Sequence, residues 1–194
     1  MELYRYDERS EYSQNLCAGI VSFGLLSLYN NTENAEQIGG ASFDKEEGLI
    51  TTFDGITTSD KLFSNPTRVF CCSALYDKEL ENEFGRFVVR ITDADRFAFL
   101  LAKALKNESY KMVNLMHQAI NYTDDIDIAD YQFIRSQCFT KPQMFSVQHE
   151  YRYAFVEKDE LGSVSADKIG LQNAKRRSVQ LPKSELEGLF ERIK

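Results

Sequence analysis

Residues 150–156 read EYRYAFV, and this stretch carries the clearest strand signal in the chain. Aromatic and β-branched residues dominate it, which is typical of β-strands. Residues two apart on a strand point to the same face, so Glu150 and Arg152 are predicted to share one face of a sheet. With 14 Phe and 10 Tyr in the chain, we expect a core built largely from aromatic side chains.

Working outward, further strands are predicted where similar residues cluster, at 3–6, 20–23, 49–53, 68–73, 87–91 and 112–122. The clearest helix is predicted to begin at Thr92 or Asp93 and to continue through Leu105, because apolar residues recur there at helical spacing. The polar segment 29–47 is rich in Asn, Gly and Glu and is predicted to be a long excursion over the surface.

Three more helices are predicted from their termini or their periodicity. Asp7 is expected to cap a helix that runs toward Leu16, and apolar spacing predicts another helix at 129–139. The motif Ser184-x-x-Glu187 has the form of a capping box, which predicts a helix at the C-terminal end.

Strands therefore outnumber helices, and the helices are scattered among them. A sustained β-α-β alternation is missing, which disfavours a doubly wound parallel sheet. We predict an α/β protein of the α+β type, in which a mixed or split β-sheet is flanked by a few helices. Residues 1–194 are expected to form a single domain, since 194 residues suit one sizeable core.

Composition excludes several classes of function. A formal net charge of −7 disfavours a surface that holds duplex DNA through many phosphate contacts. The four cysteines include the adjacent pair Cys71 and Cys72, and no basic-then-apolar leader opens the sequence, so we expect reduced thiols in a cytoplasmic protein. No apolar run approaches the ~20 residues of a membrane helix, so no membrane partner is expected.

Metal-dependent chemistry is also disfavoured. The chain has two histidines and no Cys-x-x-Cys pair, which argues against zinc. The acidic segment 124–130 lacks the Gly and the distal Glu of a calcium loop, so it is expected to be a solvated turn rather than a metal site. Phosphate loops, dinucleotide fingerprints, His-Glu-x-x-His and Gly-x-Ser-x-Gly are all missing from the sequence.

Three short segments combine residue types that could carry chemistry. They are Leu3-Tyr4-Arg5-Tyr6 on the first predicted strand, Phe70-Cys71-Cys72-Ser73 on a middle strand, and Gln148-His149-Glu150 leading into the last aromatic strand. In this order they resemble the Arg, Ser and Gln-x-Glu elements of ADP-ribosyltransferases. The resemblance implies an ADP-ribosyltransferase-like fold with NAD as co-substrate and a protein or nucleic acid as acceptor.

The same resemblance implies a role for each residue. Arg5, beside Tyr6, would contact the dinucleotide, and Ser73 would help to place the nicotinamide ribose. Glu150 would stabilise the oxocarbenium-like state as nicotinamide leaves, and Gln148 would orient the acceptor. A carboxylate that stabilises charge developing in the transition state suits this reaction. The sequence departs from the family's usual Ser-Thr-Ser, because it has Cys71-Cys72-Ser73.

A second resemblance covers more of the chain, across positions 2–156. The tyrosine-rich opening, the segment Phe43-Asp44-x-x-Glu47-Gly48 and the spaced residues from Phe139 and Lys141 to Phe145 and Glu150-Tyr151-Arg152 are similar to bacterial and phage proteins of the DUF2971 type. These proteins have no function that the resemblance could transfer to this chain. The resemblance is compatible with the first one, because both emphasise Glu150.

Simpler interpretations stay open for each motif. Arg5 could stack on Tyr4 or Tyr6, Ser73 could merely end a strand, and Glu150 could form a same-face ion pair with Arg152. At the level of function, the leading hypothesis is an NAD-consuming enzyme of bacterial or phage conflict. The alternative is an acidic, non-catalytic binding protein, such as a phage-encoded inhibitor, that engages a basic protein partner. Under the first hypothesis, Arg5, Ser73, Gln148 and Glu150 should line one site.

Overall fold

The computed structural model describes residues 1–26, 67–107, 112–125, 138–157 and 177–194. Ten strands and three α-helices occur in these residues, together with two short 3-10 helices. In chain order they are β1 (Leu3–Asp7), α1 (Ser10–Cys17), β2 (Ile20–Leu25), β3 (Thr67–Ser73), α2 (Lys78–Phe84), β4 (Phe87–Ile91), α3 (Ala94–Asn107), β5 (Met112–Ala119), β6 (Asn121–Tyr122), β7 (Thr140–Lys141), the 3-10 helix Gln143–Gln148, β8 (Glu150–Glu157), β9 (Arg177–Gln180), the 3-10 helix Lys183–Glu185 and β10 (Phe190–Arg192).

A large sheet is organised around β3, whose two edges have different partners. On one edge, β8 pairs antiparallel with β3 along its whole length, from Thr67 opposite Val156 to Ser73 opposite Glu150. On the other edge, β1 pairs only at Ser73, whereas β2 pairs only at Val69 and Arg68. The sheet therefore forks at β3. One branch continues through β1 to β4 and β10, the other continues through β2 to β9, and β5 lies beyond β8.

The main core lies between the sheet and helix α3. Phe97 of α3 packs edge-on against Tyr153 at 5.0 Å and contacts Phe70 at 5.6 Å between ring centroids. Because successive side chains of a strand point to opposite faces, Phe70 and Cys72 face α3, while Val69, Cys71 and Ser73 face away from it. A smaller core on that second face contains Val69, Ala154, Ile120, Cys138 and Phe139.

Most of the predicted elements are confirmed. The strands predicted at 3–6, 20–23, 68–73, 87–91 and 150–156 all form, and Asp93 caps α3 by accepting from the backbone N–H groups of Asp95 and Arg96. The strand predicted at 112–122 forms as two shorter strands, β5 and β6. The predicted combination of a sheet with a few helices is therefore confirmed, whereas the large sheet is antiparallel at each of its pairs and only the separate β6–β7 pair is parallel. The predictions for 29–47, 49–53 and most of 129–139 lie outside the described residues.

Two predicted helix starts are wrong. Asp7 is the buried last residue of β1, its carboxylate is paired with Arg5, and α1 begins after Arg9 without a side-chain cap. The Ser184-x-x-Glu187 motif does not start a helix, because Ser184 lies within a three-residue 3-10 turn and the chain then reverses at Gly188. The final residues form β10 and pair with the open edge of β4, which outweighs local helix propensity.

Helix α2 was not predicted from the sequence, although it has a sound N-cap. The Asp77 carboxylate accepts from the backbone N–H of Glu79, and Leu80 is its buried residue. Within the described ranges, no helix is both long enough and apolar enough to cross a membrane.

Gly85 gives a test of the close packing between α2 and β1. Its φ is 125° and an added Cβ would lie 2.2 Å from the Asp7 carbonyl carbon, so we expect Gly85→Ala to lower the free energy of unfolding by about 3 kcal/mol or more. Gly188→Ala is the matched control, because its φ is 69° but the space around it is open, and it should cost about 1 kcal/mol. Urea denaturation measures both, and equal losses would contradict this packing.

Candidate functional site

The three motif strands are neighbours in the sheet. Tyr4 of β1 lies opposite Ser73 of β3, and Ser73 lies opposite Glu150 of β8. Cross-strand partners place their side chains on the same face, so Tyr4, Ser73 and Glu150 form a row across three strands. This row lies on the face away from α3, at one end of β3 and β8. Segments that are far apart in the sequence are thus brought to one place.

Glu150 is the centre of a buried cluster of charges. Arg152 binds its carboxylate with two groups, since Nε lies 2.6 Å from Oε1 and Nη2 lies 3.1 Å from Oε2. The Lys141 ammonium lies 3.2 Å from Oε2. Glu150, Lys141 and Arg152 are only 8%, 4% and 1% exposed. The simpler interpretation of the sequence, a same-face ion pair of Glu150 with Arg152, is therefore confirmed, and the pair is buried rather than at the surface.

These neighbours set the ionisation of Glu150. Burial raises the pKa of a carboxyl, but the charges of Arg152 and Lys141 outweigh it, helped by hydrogen bonds from Arg152 and from the Cys71 thiol. The pKa of Glu150 is therefore held well below its usual range. A carboxyl with so low a pKa stays ionised near neutral pH, so it cannot act as a general acid there. It keeps a negative charge, which the positive charges of Arg152 and Lys141 offset at short range.

Gln148 reaches Glu150 by a different route from the one expected. Gln148 is the last residue of the 3-10 helix Gln143–Gln148, and β8 begins only at Glu150. His149 between them has a left-handed backbone with φ 45°, so the pleat of a strand does not align Gln148 with Glu150. The rule that residues two apart on a strand share one face therefore does not apply to Gln148 and Glu150. They are linked through Lys141, whose Nζ lies 3.0 Å from Gln148 Oε1.

Sequence reasoning missed two residues of this cluster, Lys141 and Tyr122. They are register partners in the small parallel β6–β7 pair. The Tyr122 hydroxyl accepts from the backbone N–H of Glu150 at 2.7 Å, and burial raises the pKa of Tyr122 to about 12. The only signal for Lys141 was its place in the spaced pattern of the second resemblance. For Tyr122 the sequence holds no signal, since two-residue strands leave no periodicity.

The hydroxyl groups of Ser73 and Tyr6 both form hydrogen bonds to the backbone of one turn, at residues 74–77. The Ser73 hydroxyl donates to the Leu75 carbonyl at 2.8 Å and accepts from the Leu75 N–H at 3.2 Å. The Tyr6 hydroxyl accepts from the Asp77 N–H at 2.7 Å and donates to the Leu75 carbonyl at 3.5 Å. Both residues therefore fix residues 74–77, whose backbone is joined to the Gln148–Glu150 segment by a 2.7 Å bond from the Ala74 N–H to the His149 carbonyl.

Arg5 is not brought to the same face as Glu150. Its guanidinium lies 5.3 Å from the centre of the Phe70 ring, on the side that faces α3, rather than stacking on Tyr4 or Tyr6. Its Nε pairs with Asp7 at 3.1 Å, and its Nη1 donates to the Cys71 carbonyl at 2.7 Å. The expectation that Arg5, Ser73, Gln148 and Glu150 line one site therefore fails at Arg5, because neighbouring residues alternate between the faces of a strand.

Metal ligands are not grouped in the part of the chain that the structure describes. No three His, Cys, Asp or Glu side chains in those ranges are placed to hold an ion. Asp124 and Asp125 of the acidic segment are exposed, and Asp127 and Asp130 lie outside the described residues. The groups that the described residues bring together around the ionised Glu150 carboxylate are two cations, an amide, a thiol and the Tyr122 hydroxyl.

The charge on Glu150 predicts how stability depends on pH. Because the folded-state pKa lies below the unfolded value of about 4.3, the carboxylate stabilises the fold above that value and stops doing so as pH falls below it. Glu150→Gln leaves Arg152 and Lys141 without their carboxylate, so at pH 7 it should cost about 3 kcal/mol of unfolding free energy. At about pH 2 to 3 the gap to wild type should narrow, because the unfolded wild-type chain then binds a proton at Glu150 that the folded protein does not bind.

Glu185→Gln is the matched control for that titration. Glu185 pairs with Lys103 at the surface at 2.6 Å, so its loss should change the unfolding free energy by about 0.5 kcal/mol or less at either pH. Urea unfolding at a series of pH values measures both variants. A gap between wild type and Glu150→Gln that is independent of pH would contradict an ionised carboxylate.

Comparison with known proteins identifies neither a family nor a relative. No family model matches the chain, and no curated protein or solved structure is similar to it. The function is therefore inferred from the geometry and chemistry of the residues around Glu150, and from the resemblances carried by the sequence.

Proposed function

We propose that the protein cleaves the bond between nicotinamide and ribose in NAD and transfers ADP-ribose to an acceptor, with Glu150 as its catalytic carboxylate. The adjacency of β1, β3 and β8 supports this, because these strands carry the Arg, Ser and Gln-x-Glu segments of the resemblance. Gln148 stays next to Glu150 in the proposal, since both side chains bind the same Lys141 ammonium.

The observation that carries the proposal is a carboxylate held ionised at the end of the sheet. When the C–N bond of NAD breaks, the electron pair leaves with nicotinamide, whose ring loses its positive charge and needs no proton. Positive charge then develops on the ribose. A general acid is unnecessary for this step, and a permanent negative charge nearby lowers the energy of the transition state. Glu150 can supply that charge, and its low pKa keeps it available near neutral pH.

The substrate must replace one of the groups that now surround Glu150, because the side chain is almost fully buried. Its carboxylate accepts from Arg152, from Lys141 and from the Cys71 thiol. A thiol is the weakest of these donors. A ribose hydroxyl can therefore take the place of the half-buried Cys71 thiol at the least cost, while Arg152 and Lys141 keep the carboxylate in position.

Arg5, Tyr6 and Ser73 enter the proposal as positioning residues more than as direct ligands of NAD. Arg5 holds the carbonyl of Cys71, the residue whose thiol contacts Glu150. Tyr6 and Ser73 hold the turn at 74–77, and this turn is bonded to the residue between Gln148 and Glu150. Each of the three therefore acts on the carboxylate through another residue.

Glu150→Gln tests the proposal directly. The substitution keeps the shape of the side chain and removes its charge, so nicotinamide release should fall by on the order of a hundredfold while NAD binding persists. Release is measured by chromatography of nicotinamide, and binding by calorimetry. Val179→Ala is the matched control for lost stability, because Val179 is fully buried in β9, on the other branch of the sheet. Wild-type protein that neither binds NAD nor releases nicotinamide would contradict the proposal.

A second candidate function, binding to a basic protein partner, is favoured by one surface. Asp77 and the exposed Glu79 and Glu83 are concentrated at α2, directly after the exposed apolar residues Leu75 and Tyr76. The Leu75 backbone is held by hydrogen bonds of Ser73 and Tyr6, and the Tyr76 ring stacks on Tyr6 and donates to Glu81. Apolar side chains beside negative charge suit a partner that is basic and partly apolar.

Reversing two charges on α2 tests whether this surface binds a basic partner. Glu79→Lys with Glu83→Lys should weaken the binding of a short oligolysine peptide by about tenfold at low salt, and the difference should shrink at high salt. Glu8→Lys with Glu11→Lys is the control, because it makes the same change of charge at exposed positions near α1. Equal losses in both double variants would show that net charge alone attracts the peptide.

A further inference from the structure

The left-handed backbone at His149 interrupts regular structure between Gln148 and Glu150. A left-handed residue between them ends the 3-10 helix and starts β8, so neither element continues through the motif. Gln148 and Glu150 consequently need an external group to keep their side chains together. That group has to reach both side chains and also hold the backbone at 149–150.

Lys141 provides the contact between the two side chains. Its single ammonium lies 3.0 Å from Gln148 Oε1 and 3.2 Å from Glu150 Oε2, and it also lies 4.9 Å from the centre of the Phe145 ring in the same 3-10 helix. Arg152 cannot replace it in this role, because the two bonds from Arg152 go to Glu150 and its Nη1 donates to the Cys138 carbonyl. The ammonium also sets the Gln148 amide so that Oε1 faces inward.

Tyr122 provides the contact to the backbone. Its hydroxyl oxygen accepts the Glu150 N–H at 2.7 Å, and the neighbouring Ile120 N–H donates to the Glu150 carbonyl at 2.9 Å. Tyr122 and Lys141 lie directly opposite one another in the β6–β7 pair. A two-stranded element of four residues therefore holds the motif from both sides, and its two side chains point to the same place.

We infer that Lys141 and Tyr122 form a brace whose role is to fix Gln148 and Glu150 relative to each other, Lys141 being a positioning residue for the transfer reaction. The inference about the reaction rests on the proposed function, whereas the inference about geometry stands without it. Loss of the brace should leave NAD binding largely unchanged and misplace the two groups that act on the ribose and the acceptor. Misplacement by about 1 Å is enough to slow an enzyme by on the order of a hundredfold.

Lys141→Met tests the brace, with Lys103→Met as the matched control at a surface ion pair of α3. The first measurement is hydrogen exchange at the amides of 148–150, which needs no activity. We expect exchange there to become at least about tenfold faster in Lys141→Met and to stay at the wild-type rate in the control, since local opening frees those amides. Exchange at the wild-type rate in Lys141→Met would overturn the brace.

The second measurement is the pH profile of nicotinamide release. In Lys141→Met the turnover number should fall on the order of tenfold to a hundredfold while KM for NAD changes little. The acid limb should move to higher pH, because Glu150 keeps Arg152 but loses one of its two cations, with Tyr122 and Cys71 as the other titratable groups around it. A purely structural lysine would lower the melting temperature without moving that limb.

The hydrogen-exchange and nicotinamide-release measurements distinguish failure of the brace from failure of the proposed function. Wild-type protein without nicotinamide release contradicts the proposed function, while the exchange rates still decide the brace. An active wild type whose Lys141→Met variant matches Lys103→Met in both measurements overturns the brace and leaves the proposed function standing. If Lys141→Met does not fold, Gln148→Leu replaces it, because it cuts only the bond from Lys141 to Gln148. Exchange at 148–150 should then rise as well, and an unchanged rate would count against the brace.

Discussion

The pairing of β3 with β8 is the constraint on which the remaining structure depends. These strands pair over seven consecutive residues. Their side chains contribute to both cores, the one under α3 and the smaller one on the opposite face. Any shift of this register by one residue would exchange the two faces and bury Glu150 and Arg152 among the aromatic rings. The register therefore fixes both the core and the position of the charged cluster, and the two cannot be altered independently.

Burial of three charges beside that register is costly by itself, and it is tolerated because the geometry is tight. Two cations surround one carboxylate, with hydrogen bonds at both of its oxygens. Such clusters contribute less to stability than apolar packing of equal volume would, but they penalise every arrangement in which a partner is missing. This penalty gives the end of the sheet a single well-defined geometry, which is a property that a reaction site needs and a plain core does not.

Much of the fold could be predicted from the sequence, because segments rich in aromatic and β-branched residues form strands largely on local preference. Residues 68–73, 87–91 and 150–156 are of this kind. The C-terminal segment was not accessible, since the open edge of β4 recruits residues 190–192 against their local preference, and that edge exists only after folding. For the same reason Asp7 looked like a helix cap, although its carboxylate is taken by Arg5 within β1.

The candidate site was accessible only in part. Glu150, Gln148 and Ser73 could be found because motifs mark them, and the structure brings them to one end of the sheet. The face on which Arg5 lies depends on the register of β1 with both of its neighbours, β3 at one position and β4 along the whole strand, and local sequence does not specify that register. Lys141 and Tyr122 belong to two-residue strands that pair with each other and bond to Glu150, so they are marked by contacts between distant segments rather than by any local pattern.

The fork in the sheet has a further consequence. Within the described residues, no strand pairs with 70–72 on the edge of β3 between β1 and β2. An interrupted edge of this kind, with apolar residues on either side, is a template onto which a strand from another molecule can add. The Arg5 guanidinium, held by Asp7, occupies the Cys71 carbonyl there and puts a cation in the gap. The residue first singled out for a nucleotide therefore fills, with its guanidinium and one hydrogen bond, the part of the β3 edge that lies between the two branches of the sheet.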